Sequence, residues 1–199
     1  MRGEVAALAI AALAASIALA SVFVYSPLSI GVEAQKPVIV FEPGSNAGNP
    51  DLNGTTILVS VGANDTSATI TIHPTYQVTY YENITLIRNK DSSHAYQVTL
   101  RVNQPLSLPP GSRATLYIYS KGASRSLTGW STDELAPAQG TFIAALNLTS
   151  TGETSFTLNG GETVEADILV YIPEGVQLPA PSTASVYLIY SPESGAPAP

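Results

Sequence analysis

The chain of 199 residues carries 15 acidic against 8 basic side chains, a net charge of −7, and is 12% charged and 45% hydrophobic. That apolar fraction excludes a disordered chain, a pI near 4.6 lacks the basic footprint that nucleic acid requires, and the absence of Cys excludes disulfides, zinc–thiolate sites, iron–sulfur clusters and a thiol nucleophile. The length suits one domain, or one domain with an appendage, and few charges beside 15 Gly, 15 Pro, 10 Tyr and 40 Ser plus Thr are the composition of a β-rich extracellular domain.

Residues 1–20 read as an export signal. Arg2 precedes an apolar run from Val5 to Tyr25, broken only by Ser16 and Ser21. Ala18-Leu19-Ala20 is a small-x-small cleavage site, which predicts a mature chain beginning at Ser21. Two other fates are open for the same run. It is about as long as a membrane-spanning helix and can stay as an anchor. Arg2-Gly3, followed by Glu4-Val5, also resembles the cleavage site of archaeal type IV pilin precursors, in which the run becomes a filament-core helix. In all three cases the rest of the chain lies outside the membrane.

From residue 37 to 190 the pattern is all-β. Alternating and β-branched runs predict strands at Val38–Phe41, Thr55–Gly62, Thr69–His73, Glu82–Arg88 and His94–Val102. They continue at Ala114–Ser120, Thr141–Leu148, Thr154–Leu158, Thr163–Ile172 and Thr183–Tyr190. Turn clusters such as Asn53-Gly54, Pro109-Pro110-Gly111 and Gly160-Gly161 separate them, the last as a hairpin turn over Asn159–Glu162. Strands at this spacing predict an antiparallel β-sandwich or jelly roll. Gly122–Ala138, which holds the sole Trp, Trp130, reads as a surface loop with one helical turn at Ser131–Glu134. Residues 191–199, rich in Pro, Ala and Ser, read as a flexible tail.

Catalytic constellations are missing from this pattern, and the chain is expected not to be an enzyme. His73 and His94 are the only histidines and stand in no spaced metal motif; there is no Gly-x-Ser-x-Gly elbow, and Asp133-Glu134, the one adjacent acidic pair, would point to opposite strand faces. No cofactor is expected. Asn46, Asn49, Asp51 and Asn53 share one loop with the oxygen chemistry that calcium prefers, but without a terminal Glu they read better as a polar turn. Asn53, Asn64, Asn83 and Asn147 each head an Asn-x-Thr glycosylation acceptor.

The segment 21–36 is the most informative. The even positions Val22, Val24, Leu28, Ile30, Val32 and Ala34 are apolar, whereas Ser21, Ser29, Glu33 and Gln35 on the odd side are not. A long extended arm would therefore carry one oily face. It can pack as the first strand of its own sandwich. Alternatively it can fill the groove of a neighbouring subunit by strand addition, a head-to-tail contact that does not close and so builds a filament.

An arm Val22-Phe23-Val24-Tyr25-Ser26 is followed by the strand Val38–Phe41, then Tyr81–Asn89, Tyr96–Val102 and Leu158–Glu162 leading into Val164–Pro173. In pattern and order this resembles the TasA/camelysin-like group of biofilm matrix proteins and its archaeal relatives, the bundling pili and surface threads. The resemblance implies a jelly-roll subunit that polymerises with identical copies by donor-strand exchange, often N-glycosylated. It further implies a secreted filament on the cell surface that serves adhesion or biofilm matrix and bundles with neighbouring filaments. Two alternatives stay open: a type IV pilin-like subunit with an N-terminal core helix, and a membrane-anchored surface or carbohydrate-binding domain using Trp130 and the Tyr76, Tyr80 and Tyr81 cluster.

Overall fold

The computed structural model describes residues 3, 25–128, 136–138 and 140–192. The export run, the junction at Ser21, arm positions Val22 and Val24, Trp130, the turn at 131–134 and the tail from 193 onward lie outside the described residues. Among the described residues no helix is long and apolar enough to cross a membrane. The chain forms two compact units, residues 1–35 and 36–199.

The second unit is an antiparallel β-sandwich. Its strands are β1 (Ile39–Pro43), β2 (Leu58–Val61), β3 (Ala68–Thr71), β4 (Gln77–Asn89), β5 (Tyr96–Gln104) and β6 (Arg113–Ser120). They continue as β7 (Leu127–Thr128), β8 (Ala136–Pro137), β9 (Ala144–Asn147), β10 (Gly152–Leu158), β11 (Thr163–Ile172) and β12 (Ser185–Pro192). A five-stranded sheet in the order β1-β4-β11-β6-β9 packs on a three-stranded sheet β10-β5-β12, with two-stranded ribbons β2-β3 and β7-β8 beside them. The core between the sheets includes Ile39, Ile84, Ile87, Val98, Leu100, Ile118, Phe156, Leu158, Val164 and Ile172.

Position in the sandwich explains the strand sequences. β5 alternates buried Tyr96, Val98, Leu100 and Val102 with more accessible Gln97, Thr99 and Arg101, as a strand with one face on the core must. β11 is apolar almost throughout because it sits mid-sheet and is covered on both faces. Its outer face packs through Leu169 with Tyr117 and Tyr119 of β6, and Ala123 and Phe142 lie against them. The Phe142 ring meets Tyr117 edge-on at 5.1 Å.

Four expectations change. β4 begins at Gln77, five residues before the predicted Glu82, because it carries a bulge: Ala166 of β11 pairs with Thr85 but Ile168 pairs with Tyr81, so residues 82–84 oppose Asp167 alone. Asn159–Glu162 is not a hairpin turn. It is a corner between sheets, since β10 pairs with β5 while β11 pairs with β4 and β6. That corner is tight: a Cβ at Gly160 would stand 2.5 Å from the Ser92 carbonyl oxygen, and Gly161 has φ 72°. The predicted loop 122–138 contributes the short pair β7-β8. The predicted tail begins later than Ser191, because β12 pairs with β5 through Pro192.

Candidate functional site

The arm and one edge of the small sheet stand out together. Residues 25–36 have no strand partner among the described residues, and all are exposed. Tyr25, Leu28, Ile30 and Val32 are 88%, 83%, 78% and 89% accessible. Each of these large side chains, if buried, would gain about 1.5–3 kcal/mol from the hydrophobic effect. Such a stripe left in water is the arrangement a soluble fold ordinarily avoids.

The two edges of the small sheet differ in how they close the core. On β10 the inward side chains Phe156 and Leu158 are 4% and 0% accessible. On β12 the inward set follows from register: Val186 pairs with Val102, Leu188 with Leu100 and Tyr190 with Val98, all three partners buried. Yet Val186 and Leu188 are only half-buried, and Tyr190 is 38% accessible. The sandwich is sealed at β10 and open at β12. The outer face changes character at the same edge. Along β10 and β5 it is polar, with Thr99 Oγ1 2.8 Å from Ser155 Oγ and the Arg101 guanidinium 2.7 Å from Glu153. Along β12 it becomes Tyr187 and Ile189, 52% and 44% accessible. β12 is thus apolar on both faces from Val186 to Tyr190 and covered fully on neither, and among the described residues it pairs with β5 alone.

The other edges are less available. On β1 the outward Phe41 N–H already donates to the Asp65 carbonyl at 2.8 Å. β9 has only four residues.

The polar residues singled out by sequence are placed as ties between loops. Asp51 accepts from Leu52 N–H at 2.8 Å, from His73 N–H at 2.8 Å and from Tyr81 Oη at 3.2 Å, with His73 Nδ1 at 3.0 Å. Both of its oxygens are engaged by protein donors, so the 46–53 loop offers no free carboxylate for calcium; Asn46 and Asn49 bond to one another at 2.9 Å. Asp91 holds His94 Nδ1 at 2.7 Å and Tyr96 Oη at 3.1 Å. The Tyr76, Tyr80 and Tyr81 cluster is not an exposed platform. Their hydroxyls reach the Val176 carbonyl, Asp167 and Asp51 respectively, and Tyr81 is buried.

The four acceptor asparagines occupy different surroundings. Asn53 tops a 3₁₀ turn at Leu52–Gly54, Asn64 lies in the β2–β3 turn and Asn147 ends β9, all three exposed. Asn147 Oδ1 accepts from both the N–H and the hydroxyl of Thr149 at 2.8 Å, which folds that acceptor triplet into a local turn. Asn83 instead sits in the β4 bulge with φ 43°; its Oδ1 is buried, and Thr85 is buried with its hydroxyl donated to the Glu42 carbonyl.

Residue-by-residue reasoning missed a buried ionic cluster on the outer face of the large sheet. Arg125 Nε donates to Asp167 Oδ2 at 2.9 Å and Nη2 to Glu165 Oε2 at 2.7 Å, while the guanidinium lies 4.5 Å from the centre of the Tyr119 ring. Asp167 also accepts from Tyr80 Oη at 2.6 Å and from Asn83 N–H at 2.7 Å. Burial acts to lower the Arg125 pKa, but the two carboxylates outweigh it and hold it above the ordinary arginine value. The signal was present in β11: two acids two residues apart share one face of an otherwise apolar central strand, and such a pair requires a cation. Among the described residues no group of three or more His, Asp or Glu is arranged to hold a metal. Compared with known proteins, the chain matches no family model and no curated relative, so its function has to be argued from its own geometry.

Proposed function

We propose that this chain is the structural subunit of a secreted filament on the cell surface, of pilus or thread type, polymerised by donor-strand complementation. The observation that carries the proposal is the arm: an unpaired segment whose apolar stripe Leu28, Ile30 and Val32 is nearly fully exposed, ahead of a sandwich with one unsealed edge. An oily strand and an open edge are complementary, and joining them between copies buries both. Because the arm of each subunit serves the next, the contact repeats without closing and the product is a filament. The finer features go with this proposal: a jelly-roll lineage, N-linked sugar, homopolymerisation, bundling, and a role in adhesion or biofilm matrix. A membrane-anchored monomeric binding domain is less well supported, since it leaves the stripe in water and the hydroxyls of its Tyr76, Tyr80 and Tyr81 cluster are committed to partners within the fold.

The test is substitution along the arm. Ile30→Asp or Val32→Asp would place an unpaired carboxylate in the neighbouring core, costing several kcal/mol. Electron microscopy should show filaments lost in both, with circular dichroism unchanged because these side chains stand in solvent in the monomer. Ser29→Asp, on the opposite face, should assemble normally. Normal filaments from the Ile30 and Val32 variants, or unfolding of the monomers, would defeat the proposal.

A further inference from the structure

We propose that the acceptor for the arm is the free edge of β12, so that the C-terminal strand of one subunit pairs with the arm of the next. The proposal rests on the donor-strand reading above and adds the site at which it acts. Three observations lead to it. The inward side chains of β12 are the ones the small sheet leaves half-covered, whereas those of β10 at its other edge are sealed. The outer face of that sheet turns from polar to apolar only at β12, where Tyr187 and Ile189 stand exposed beside the paired Arg101 and Thr99. The lengths also match: Leu28 to Ala34 spans about 20 Å and Ser185 to Pro192 about 23 Å as extended chain at ~3.3 Å per residue.

The pleat then sets the faces. Leu28, Ile30, Val32 and Ala34 must continue the inward row of Val186, Leu188 and Tyr190, because a slip of one residue would turn the whole stripe outward. Ser29, Gly31 and Glu33 must lie on the outer face, level with the row of Tyr187, Ile189 and Ser191. The occupant is a second copy of this chain, since the segment that fits is its own arm.

The absence of native Cys makes the test direct. One set of full-length variants carries Ser29→Cys, Gly31→Cys or Glu33→Cys. A second set carries Tyr187→Cys, Ile189→Cys or Ser191→Cys on β12, with Glu153→Cys, Ser155→Cys or Thr157→Cys on β10 and Glu42→Cys on β1 as the competing edges. All are positions outside the core. Each arm variant is mixed with each edge variant before assembly, oxidised, and run on a non-reducing gel beside electron micrographs of the same sample. A disulfide between separately made chains has to join two copies. The expected result is filaments with a heterodimer band for β12 partners and none for β10 or β1. Which of the three arm positions links to which β12 position reads the register and direction of the pair. Filaments whose cross-links fall on β10 or β1 overturn the β12 edge while leaving the filament reading intact. Absence of both filaments and cross-links overturns the two together.

Discussion

Arg125 ties the 121–128 segment to the large sheet through two carboxylates on one face of β11. Its side chain and those of Glu165 and Asp167 are all almost fully buried, at 8%, 7% and 0% accessible. Removing the cation would leave two negative charges in a poorly solvated site, the case in which a buried ion pair matters most. Arg125→Met should therefore lower the unfolding free energy by about 3–5 kcal/mol in a denaturant titration. Arg125→Lys should recover only part of the loss, because an ammonium cannot bridge both carboxylates and stack on Tyr119 as the planar guanidinium does. If Arg125→Met were neutral, the cluster would not be what holds the segment. Asp167 shows why this position was hard to anticipate. Its four donors come from Tyr80, Asn83 and Arg125, which are distant in sequence and meet only because the β4 bulge aims the Asn83 N–H at the carboxylate.

Elements decide which of four chemically equivalent acceptor triplets can carry sugar. The motif alone treats Asn53, Asn64, Asn83 and Asn147 alike. In the fold, three stand at turns or strand ends and one lies inside the longest strand. A glycan on Asn83 would need the β4 bulge to open, since its Oδ1 is enclosed and the hydroxyl of Thr85 is bonded across to β1. Glycopeptide mapping of native material should find sugar on at least two of Asn53, Asn64 and Asn147 and none on Asn83. Sugar on Asn83 would imply modification before the sandwich closes; bare polypeptide mass would remove the glycoprotein expectation. The element scale also explains how a turn was misread. Asn159–Glu162 has the local hydrogen bonding of a tight turn, with Glu162 N–H donating to the Asn159 carbonyl at 3.0 Å, yet the strands it joins lie in opposite sheets. Local turn chemistry is the same in both cases, and only the partners of the flanking strands distinguish them.

At the scale of the whole molecule, pH acts through aspartates and tyrosines that serve as ties. Asp51 is pushed up by burial, but the donors from Leu52, His73 and Tyr81 outweigh this and hold it below the usual carboxylate range. Asp91 is lowered by the Ser93 N–H and by His94. A carboxylate lowered in the folded state binds fewer protons there than in the unfolded chain. Its stabilisation is present above the unfolded value of about 3.9 and is lost as pH falls through the folded one. The thermal midpoint should therefore drop steeply below about pH 4, and Asp51→Asn should flatten part of that slope. The alkaline side has the opposite sign. Tyr80, Tyr81 and Tyr117 are raised, chiefly by burial. Their contribution is complete below the unfolded value of about 10 and lost as pH rises beyond it. Tyrosinate absorbance should accordingly appear for these residues together with loss of the β-sheet dichroism, and ionisation without unfolding would contradict their burial.

Sequence alone determined what depends on neighbours along the chain. β-Branched runs between turn signals together with period-two alternation located ten of the strands, β11 to the residue; alternation can be read along the chain because side chains on a strand face alternate sides whatever lies opposite. The same rule marked the arm as one-sided. What only the tertiary structure decided is everything that depends on partners distant in sequence. It showed that the described part of the stripe stays in solvent, and that β10 closes its edge while β12 does not. It enclosed Asn83 and left Asn53 exposed, turned the tyrosines inward, and gave Glu165 and Asp167 their cation. The physical reason is the same in each case: burial and pairing are properties of the packed sheets, and a residue's own neighbours in sequence do not say which side of a sheet another strand will cover.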